Sequence, residues 1–340
     1  MSRSSALRYY VLSRLLLAPL MLWTVITIVF LLLRVSGNPV DATLGPRAPE
    51  SAKEALRIEL GLDAPLWLQY VRYLGALLQL DLGTSIVNRG QTVWQIIRDY
   101  FPATVELTLL SMLVSVVVGV AIGSLAASRP NTAVDAGGRL FGIITYAVPM
   151  YWFGMVLQLV FGVWLGWFPT SLRYTPGLSP APGFTGLYVI DSLIQGRFDQ
   201  LGIALHHLAL PSLTLGILLS GIFERMVRIN LKQTLRSDYV EAARARGIPE
   251  YRVVLIHALR NALIPVVTVL GLTIASLLGG AILTEATFSW PGLAFRLYEA
   301  IRMRDYPVVQ GIMVFFGAIV AIASIAIDIL NAYIDPRIRY

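Results

Sequence analysis

The sequence predicts an all-α protein whose helices cross a membrane six times. Three observations carry that prediction. Charged residues make up only 14% of the chain, and mean hydropathy is +0.69. The scarce charges leave six uncharged gaps, each about as long as the roughly 20 residues a helix needs to cross hydrocarbon. Within each gap no polar face recurs at helical spacing, as it would on a helix half-buried in a soluble core.

The gaps run between Arg14 and Arg34, Glu106 and Arg129, Arg139 and Arg173, Asp199 and Glu224, Arg260 and Glu285, and Asp305 and Asp328. The first follows Arg3, Arg8 and Arg14, the arrangement of a signal peptide. The apolar run 15–33 is too long for a signal core, and no small-x-small site closes it, so it reads as a retained first span. Pro149, inside the third span, predicts a kink.

Six spans put both termini on one side. Lys and Arg divide 15 to 12 between the two sides, but seven of the 12 lie in residues 34–101. Loops beyond about 60 residues do not direct orientation; without this one the division is 15 to 5. The N-terminal tail, the 129–139 turn, the 225–260 loop and the C-terminal tail are therefore expected in the cytoplasm. The net charge of +7 is then a topological excess and does not imply nucleic acid.

The outer segment 34–101 carries seven basic and seven acidic residues and is expected to fold as a small helical domain. A helix over 50–60 ends at Gly61. A second runs from Pro65, a favourable first-turn residue, to about Leu80, with Leu66, Tyr70, Tyr73, Leu74 and Leu77 at packing positions. The outer loop with Pro176, Pro180 and Pro182 is irregular. No internal repeat or low-complexity tract is evident.

Residues 224–265 hold the strongest functional signal. The 225–260 loop has eight Arg or Lys against three acids. Ser237 or Asp238 can cap a helix opening near Tyr239. It would run through Glu241, Ala242, Ala243, Arg244 and Arg246 and stop at Gly247, followed by Ile248. Pro249 opens a second helix that leads into the fifth span at Ile264 and Pro265. The alanines give the first helix a slim surface suited to a groove, and Glu241, Arg244 and Arg246 can orient it. A basic loop that meets anionic lipid and sets topology accounts for the same composition.

The string EAARARG, residues 241–247, with Ile264 and Pro265 seventeen residues on, resembles the EAA signature of ABC importer permeases. The match lies at Glu241, Ala242, Ala243 and Gly247; Ile264 stands where the family often has leucine. LGLDAPLWLQYVRYLGALLQLDLGTS (60–85), HALRNALIPVVTVLGL (257–272), LTEATFSWPGLAFRLYEAIRMRDYPVVQG (283–311) and DPRIR (335–339) resemble the dipeptide, oligopeptide and nickel branch, in order along the chain. One departure is Gln79-Leu80-Asp81, where glycine commonly precedes the aspartate. The resemblance implies a type I importer bundle in a bacterial inner membrane. It implies residues 1–33 as tail and first span, 34–101 as extracytoplasmic domain, 102–335 as transport core and 336–340 as cytoplasmic tail. Residues at about 238–248 would form the coupling helix that docks on an ATPase, with Tyr239, Glu241, Ala242, Ala243, Arg244, Arg246, Gly247 and Ile248 as its contact residues. Implied partners are a second permease, two ATP-binding subunits, an extracytoplasmic solute-binding protein and membrane lipid. Peptide, glutathione and nickel importers share these motifs. A membrane enzyme or a passive channel are the alternatives from other classes.

Several chemistries lack their residues. Lys53 and Lys232 follow Ala52 and Leu231, so no phosphate-binding loop ends in Gly-Lys, and ATP would be handled by a partner. There is no cysteine. His206, His207 and His257 form no metal motif, and His206 and His207 are expected at an interface; no cofactor or metal is implied. Glu106, Glu224, Glu285 and Asp328 lie near span edges and read as interfacial or bundle-facing side chains. Asp328 could pair with Arg337 or Arg339, and Glu224 with Arg225 would belong to the coupling loop. Trp164, Trp167 and Trp290 fit an aromatic belt. Tyr146, Tyr151 and Trp152 are expected to pack.

Overall fold

A computed structural model describes residues 3–35, 39–45, 47–178, 180 and 183–334, and side chains from Pro19 onward apart from a few positions. Asp328, Arg337 and Arg339 lie outside the described side chains. Among the described residues there is no strand, only one bridge between Thr84 and Thr92.

The chain opens with α1 (Arg3–Val35), then the short α2 (Pro39–Leu44), α3 (Glu50–Glu59) and α4 (Leu66–Leu78). Gly61 has φ +63 and closes α3 as its position predicts. Pro65 stands at the N-cap of α4, one residue before the first turn. α4 lies along α1: the Thr27 and Tyr70 hydroxyls are 2.6 Å apart, and Phe30 packs against Tyr70 and Tyr73. Leu66, expected to pack, is exposed. The chain then turns through Thr84 and Thr92 into α5 (Val93–Ser128), so the helix that crosses begins well before residue 102.

α5 and the later α9 (Phe198–Thr234) are the axis of the molecule. At 36 and 37 residues they are each about 55 Å long. Apolar surface gains little by leaving lipid for another helix, so close association needs small residues at the seam. Gly119, Gly123 and Gly216 supply it. A Cβ on Gly119 would lie 2.5 Å from the Phe223 Cβ, one on Gly123 2.7 Å from the Glu224 carbonyl oxygen, and one on Gly216 2.6 Å from the Val114 Cβ.

Between them lie α6 (Ala133–Ala147), α7 (Met150–Leu157) with a π-helical continuation (Gln158–Trp164), and α8 (Tyr188–Ile194). The kink expected at Pro149 is a full elbow: the segments before and after it meet at 101°. Proline disfavours the helical region in the residue before it, and Val148 is accordingly extended (φ −78, ψ 125).

After α9 comes α10 (Asp238–Ala245). Then α11 (Glu250–Arg252), a π-helical turn and α12 (Leu259–Ala262) lead into α13 (Ile264–Leu278) across a 55° bend. α14 (Ile282–Thr287), α15 (Leu293–Arg302) and α16 (Tyr306–Ile334) complete the chain. Among the described residues three helices are long and apolar enough to cross a membrane, and the two bent pairs bring the number to five. α1 adds an apolar stretch at Pro19–Val35.

Candidate functional site

α10 is a two-turn helix with one seated side. Val240 and Ala243 are buried against Ala127 of α5, Leu231 of α9, and Val253, Val254 and Ala258 of the helix that follows. Tyr239, Glu241, Ala242, Arg244, Arg246 and Gly247 are exposed, and Ile248 is half-buried. The eight residues expected to act together lie on this one helix and its exit, with Ala243 facing the bundle.

Local chemistry fixes the ends of α10. It opens at Asp238, with Ser237 extended at the N-cap (φ −83, ψ 146), but the Ser237 side chain makes no capping bond, contrary to its expected role. At the other end Gly247 has φ +74, and the Gly247 and Ile248 amides donate to the Arg244 and Ala243 carbonyls. That left-handed exit is strained for any residue with a side chain. Arg244 donates to both carboxylate oxygens of Glu250, at 3.1 and 2.7 Å, and to the Leu235 carbonyl at 3.3 Å. The hydrogen bond to the Glu250 carboxylate raises the Arg244 pKa above its ordinary value. Asn261 Nδ2 donates to the Tyr239 hydroxyl at 2.8 Å. Both side chains staple α10 to the segment leading into α13.

Above α10 lies an ionic chain between α6 and α9. Lys232 Nζ reaches both oxygens of the buried Asp135, at 2.8 and 2.9 Å. Arg228 lies 3.9 Å from Asp135 and donates through Nε to Glu224 at 2.8 Å. Arg139 approaches Asp135 at 3.8 Å. Glu224, Arg228 and Lys232 are successive i, i+4 neighbours on α9. This corrects one expectation: α9 runs on to Thr234, so Glu224 and Arg225 belong to a continuous helix and not to the coupling loop. Glu224 is 1% exposed and faces α6, one of the bundle-facing positions its place at a span edge allowed.

Beside this chain, at the elbow of α6 and α7, is a cleft of about 750 Å³ lined by Gly142, Thr145, Tyr146, Val148, Gly221 and Arg225 among others. Tyr146 is 91% exposed, and Tyr151 and Trp152 are half-exposed, so these aromatics do not pack as expected.

The opposite end of the molecule carries the other buried ions. Arg173 donates to Glu106 through Nε and Nη2 at 3.0 and 2.8 Å, and to the Gly186 carbonyl at 2.7 Å. Its guanidinium lies 3.7 Å over the Tyr188 ring. The second Glu106 oxygen accepts from the Val189 amide at 2.7 Å. Glu285 accepts from the Thr104 hydroxyl and the Phe295 amide, both at 2.7 Å. Glu106 and Glu285 thus face the bundle interior, as read. Asp305 accepts from Ser85 and from the Ile86 amide, and so pins the end of the 34–101 segment to the start of α16.

Trp290 does not join an aromatic belt. It is fully buried and its indole N–H donates to the Ala103 carbonyl at 2.9 Å. Trp164 and Trp167 are exposed, as a belt requires. His206 lies against the Trp167 carbonyl, and the buried His207 against Thr175, Ser171 and Leu172. Among the described residues no group of acids and histidines could hold a metal.

Residues 119–340 match the family described as binding-protein-dependent transport system inner membrane component. Residues 7–108 match the N-terminal part of such membrane components. The dipeptide transport system permease protein DppB of Alkalihalophilus pseudofirmus is 39% identical over 326 residues, which cover 96% of this chain and 97% of the relative. The di/tripeptide transport system permease protein DppB of Pseudomonas aeruginosa is 41% identical over 314 residues, 92% of this chain and 93% of the relative. The oligopeptide transport system permease protein AppB of Bacillus subtilis is 34% identical over 332 residues, 97% of this chain and 99% of the relative.

Proposed function

This chain belongs to the family of inner membrane components of binding-protein-dependent transport systems, and from that premise we infer how it works: it is a peptide permease subunit of an ABC importer, driven through α10. The observation that carries the coupling role is the seating of α10. A short exposed helix is pinned to the bundle by Val240, Ala243 and two side-chain staples, so a push on its exposed face is handed to α9 and α13 and is not lost in a loose loop.

In this reading α1 is the sixth span. The N-terminal tail, the 129–139 turn, the α10 region and the C-terminal tail face the cytoplasm. Residues 34–101 face outward as a domain that meets the solute-binding protein, and 102–335 form the transport core. Tyr239, Glu241, Ala242, Arg244, Arg246, Gly247 and Ile248 form the ATPase-coupling surface, with Ala243 as its inward anchor. Two ATP-binding subunits hydrolyse ATP, and a second permease completes the pathway. Small peptides are the substrate class, in keeping with the printed names of relatives that match nearly end to end. Nucleotide closes the ATPase dimer, the coupling helices follow, and the bundle opens outward to receive solute.

The test is reconstitution with the ATP-binding and solute-binding subunits. Gly247→Val imposes a side chain on a φ of +74, at a cost of about 1 kcal/mol. Glu241→Lys reverses an exposed charge that can accept charge-assisted hydrogen bonds from a partner. Both variants should reach the membrane at matched level, yet lose ATPase association or peptide uptake per ATP. Normal uptake by both would reduce α10 to a basic loop.

A further inference from the structure

We propose that the ionic chain of Asp135, Lys232, Arg228 and Glu224, whose two carboxylates are buried, is a mechanical joint that makes α6 travel with α9, carrying motion of α10 to the elbow beside the cleft. The proposal rests on the coupling role of α10 given above and adds a path for the motion.

The inner end of α9 has two working sides. On one, Leu231 is fully buried in the apolar cluster that seats Val240 and Ala243 of α10. On the other, Glu224, Arg228 and Lys232 face α6, spaced so that they stack along one stripe of the helix. Asp135 is the α6 group they meet, and both of its oxygens are held by Lys232. The Asn131 amide also donates to Asp135, at 3.3 Å, which ties in the turn before α6. Displacement of α10 therefore reaches Leu231 through apolar packing and reaches Asp135 through ions on the same three turns of α9.

Small residues let the two helices close on the chain. A Cβ on Gly138 would lie 3.3 Å from one oxygen of Glu224, and one on Gly142 2.8 Å from the other. A Cβ on Gly221 would collide with Thr145 one turn further on. The seam leads directly to the cleft, because Gly142, Thr145 and Gly221 also line it and Val148 at its edge is the elbow itself. A buried ion pair is poor evidence of stability, since hydrophobic residues of similar volume often serve as well. What ions provide is register: Lys232 cannot slide along α6 without giving up both of its bonds to Asp135, which Arg228 and Arg139 approach only at 3.9 and 3.8 Å. Glu224 adds a second feature. Its Oε2 is buried with no hydrogen-bond partner among the described residues, although Oε1 is held by Arg228. A chain built only to hold the helices together would be expected to satisfy both oxygens.

The test uses the assembled importer and the absence of cysteine from this chain. Spin labels are placed at the exposed Leu140 on α6 and Ile229 on α9. Their separation is read by electron paramagnetic resonance without nucleotide and after trapping with ATP and vanadate. In the otherwise unaltered chain the separation should be the same in both states. With Asp135→Asn or Lys232→Met it should change or broaden on trapping, and uptake per ATP should fall about tenfold at equal complex yield. The charge exchange Asp135→Lys with Lys232→Asp should restore much of both, which shows that the effect runs through this pair and not through loss of either side chain alone; the trapped-state separation then tells a joint from a merely structural bond. A separation that shifts on trapping in the unaltered chain, or variants indistinguishable from it, overturns the joint. Failure of the unaltered complex to take up peptide at the expense of ATP overturns instead the function proposed above.

Discussion

The two ends of the bundle bury acidic side chains in different ways. At the end away from α10, Glu106 and Glu285 are held by rigid donors. These are the Val189 and Phe295 amides, the Thr104 hydroxyl and one guanidinium that is itself clamped by Gly186 and Tyr188. At the α10 end, Asp135 and Glu224 are held chiefly by the long cationic side chains of α9, the Asn131 amide reaching Asp135 only at 3.3 Å, and one Glu224 oxygen has no hydrogen-bond partner among the described residues. Backbone donors cannot follow a moving partner; Lys and Arg stems can. The first arrangement fixes loops against helices, and the second ties two helices together in a way that suits the joint proposed above. A transporter needs both, a frame and a moving part.

The largest effect should come from breaking the frame. Among the described residues Arg173 is the one cation paired with Glu106, and Arg173→Ala strands a carboxylate that is 6% exposed. Removing one member of a buried pair costs about 3–5 kcal/mol. In detergent, the variant's melting transition should drop well below that of Lys232→Met, whose side chain is 31% exposed and whose partner keeps Arg139 and Arg228 nearby. Equal losses would erase the distinction between the two ends.

Next in size is the shared axis. Gly123→Val places a branched side chain 2.7 Å from the Glu224 carbonyl oxygen, with α9 backbone in the way. Overpacking of this kind costs typically about 1–3 kcal/mol. Gly137→Val, on the same scale of change but with open space around the site, should leave the melting transition near the unaltered value. A large loss at Gly137 would mean that helix propensity, and not the seam, decides.

The sequence made the frame legible in outline and its joints illegible. Uncharged gaps located the apolar helices because a charge in hydrocarbon is costly at any position, a purely local rule. Gly61, Gly247 and Pro149 marked a helix end, an exit and a break for equally local reasons. The pairs Arg173–Glu106, Asp135–Lys232 and Glu285–Thr104 join residues 67, 97 and 181 positions apart, and no periodicity announces them. One joint does leave a local trace. Glu224, Arg228 and Lys232 fall at helical spacing and already argue that α9 continues past Glu224. Trp290 misled because tryptophan suits both a membrane interface and a core where its N–H finds an acceptor, and only tertiary contact separates the two.

The smallest predicted effect contrasts the two ends at single helix caps. α5 begins with a complete capping box: the Gln95 amide donates to the Thr92 hydroxyl at 3.2 Å, and the Thr92 amide donates to the Gln95 side chain at 2.9 Å. Thr92→Ala removes one half of it and should cost about 1 kcal/mol. Ser237 occupies the same position before α10 but makes no capping bond. Ser237→Ala should therefore stay within about 0.5 kcal/mol, the usual range for a surface change that removes no interaction. Hydrogen exchange can read both locally, at the first amides of each helix. Faster exchange after Thr92→Ala and unchanged exchange after Ser237→Ala would show that α10 draws its order from Val240, Ala243 and the Arg244–Glu250 staple. If Ser237→Ala instead loosens α10 as much as Thr92→Ala loosens α5, the helix depends on its own cap, and a push on its exposed face would be spent on fraying before it reached Leu231.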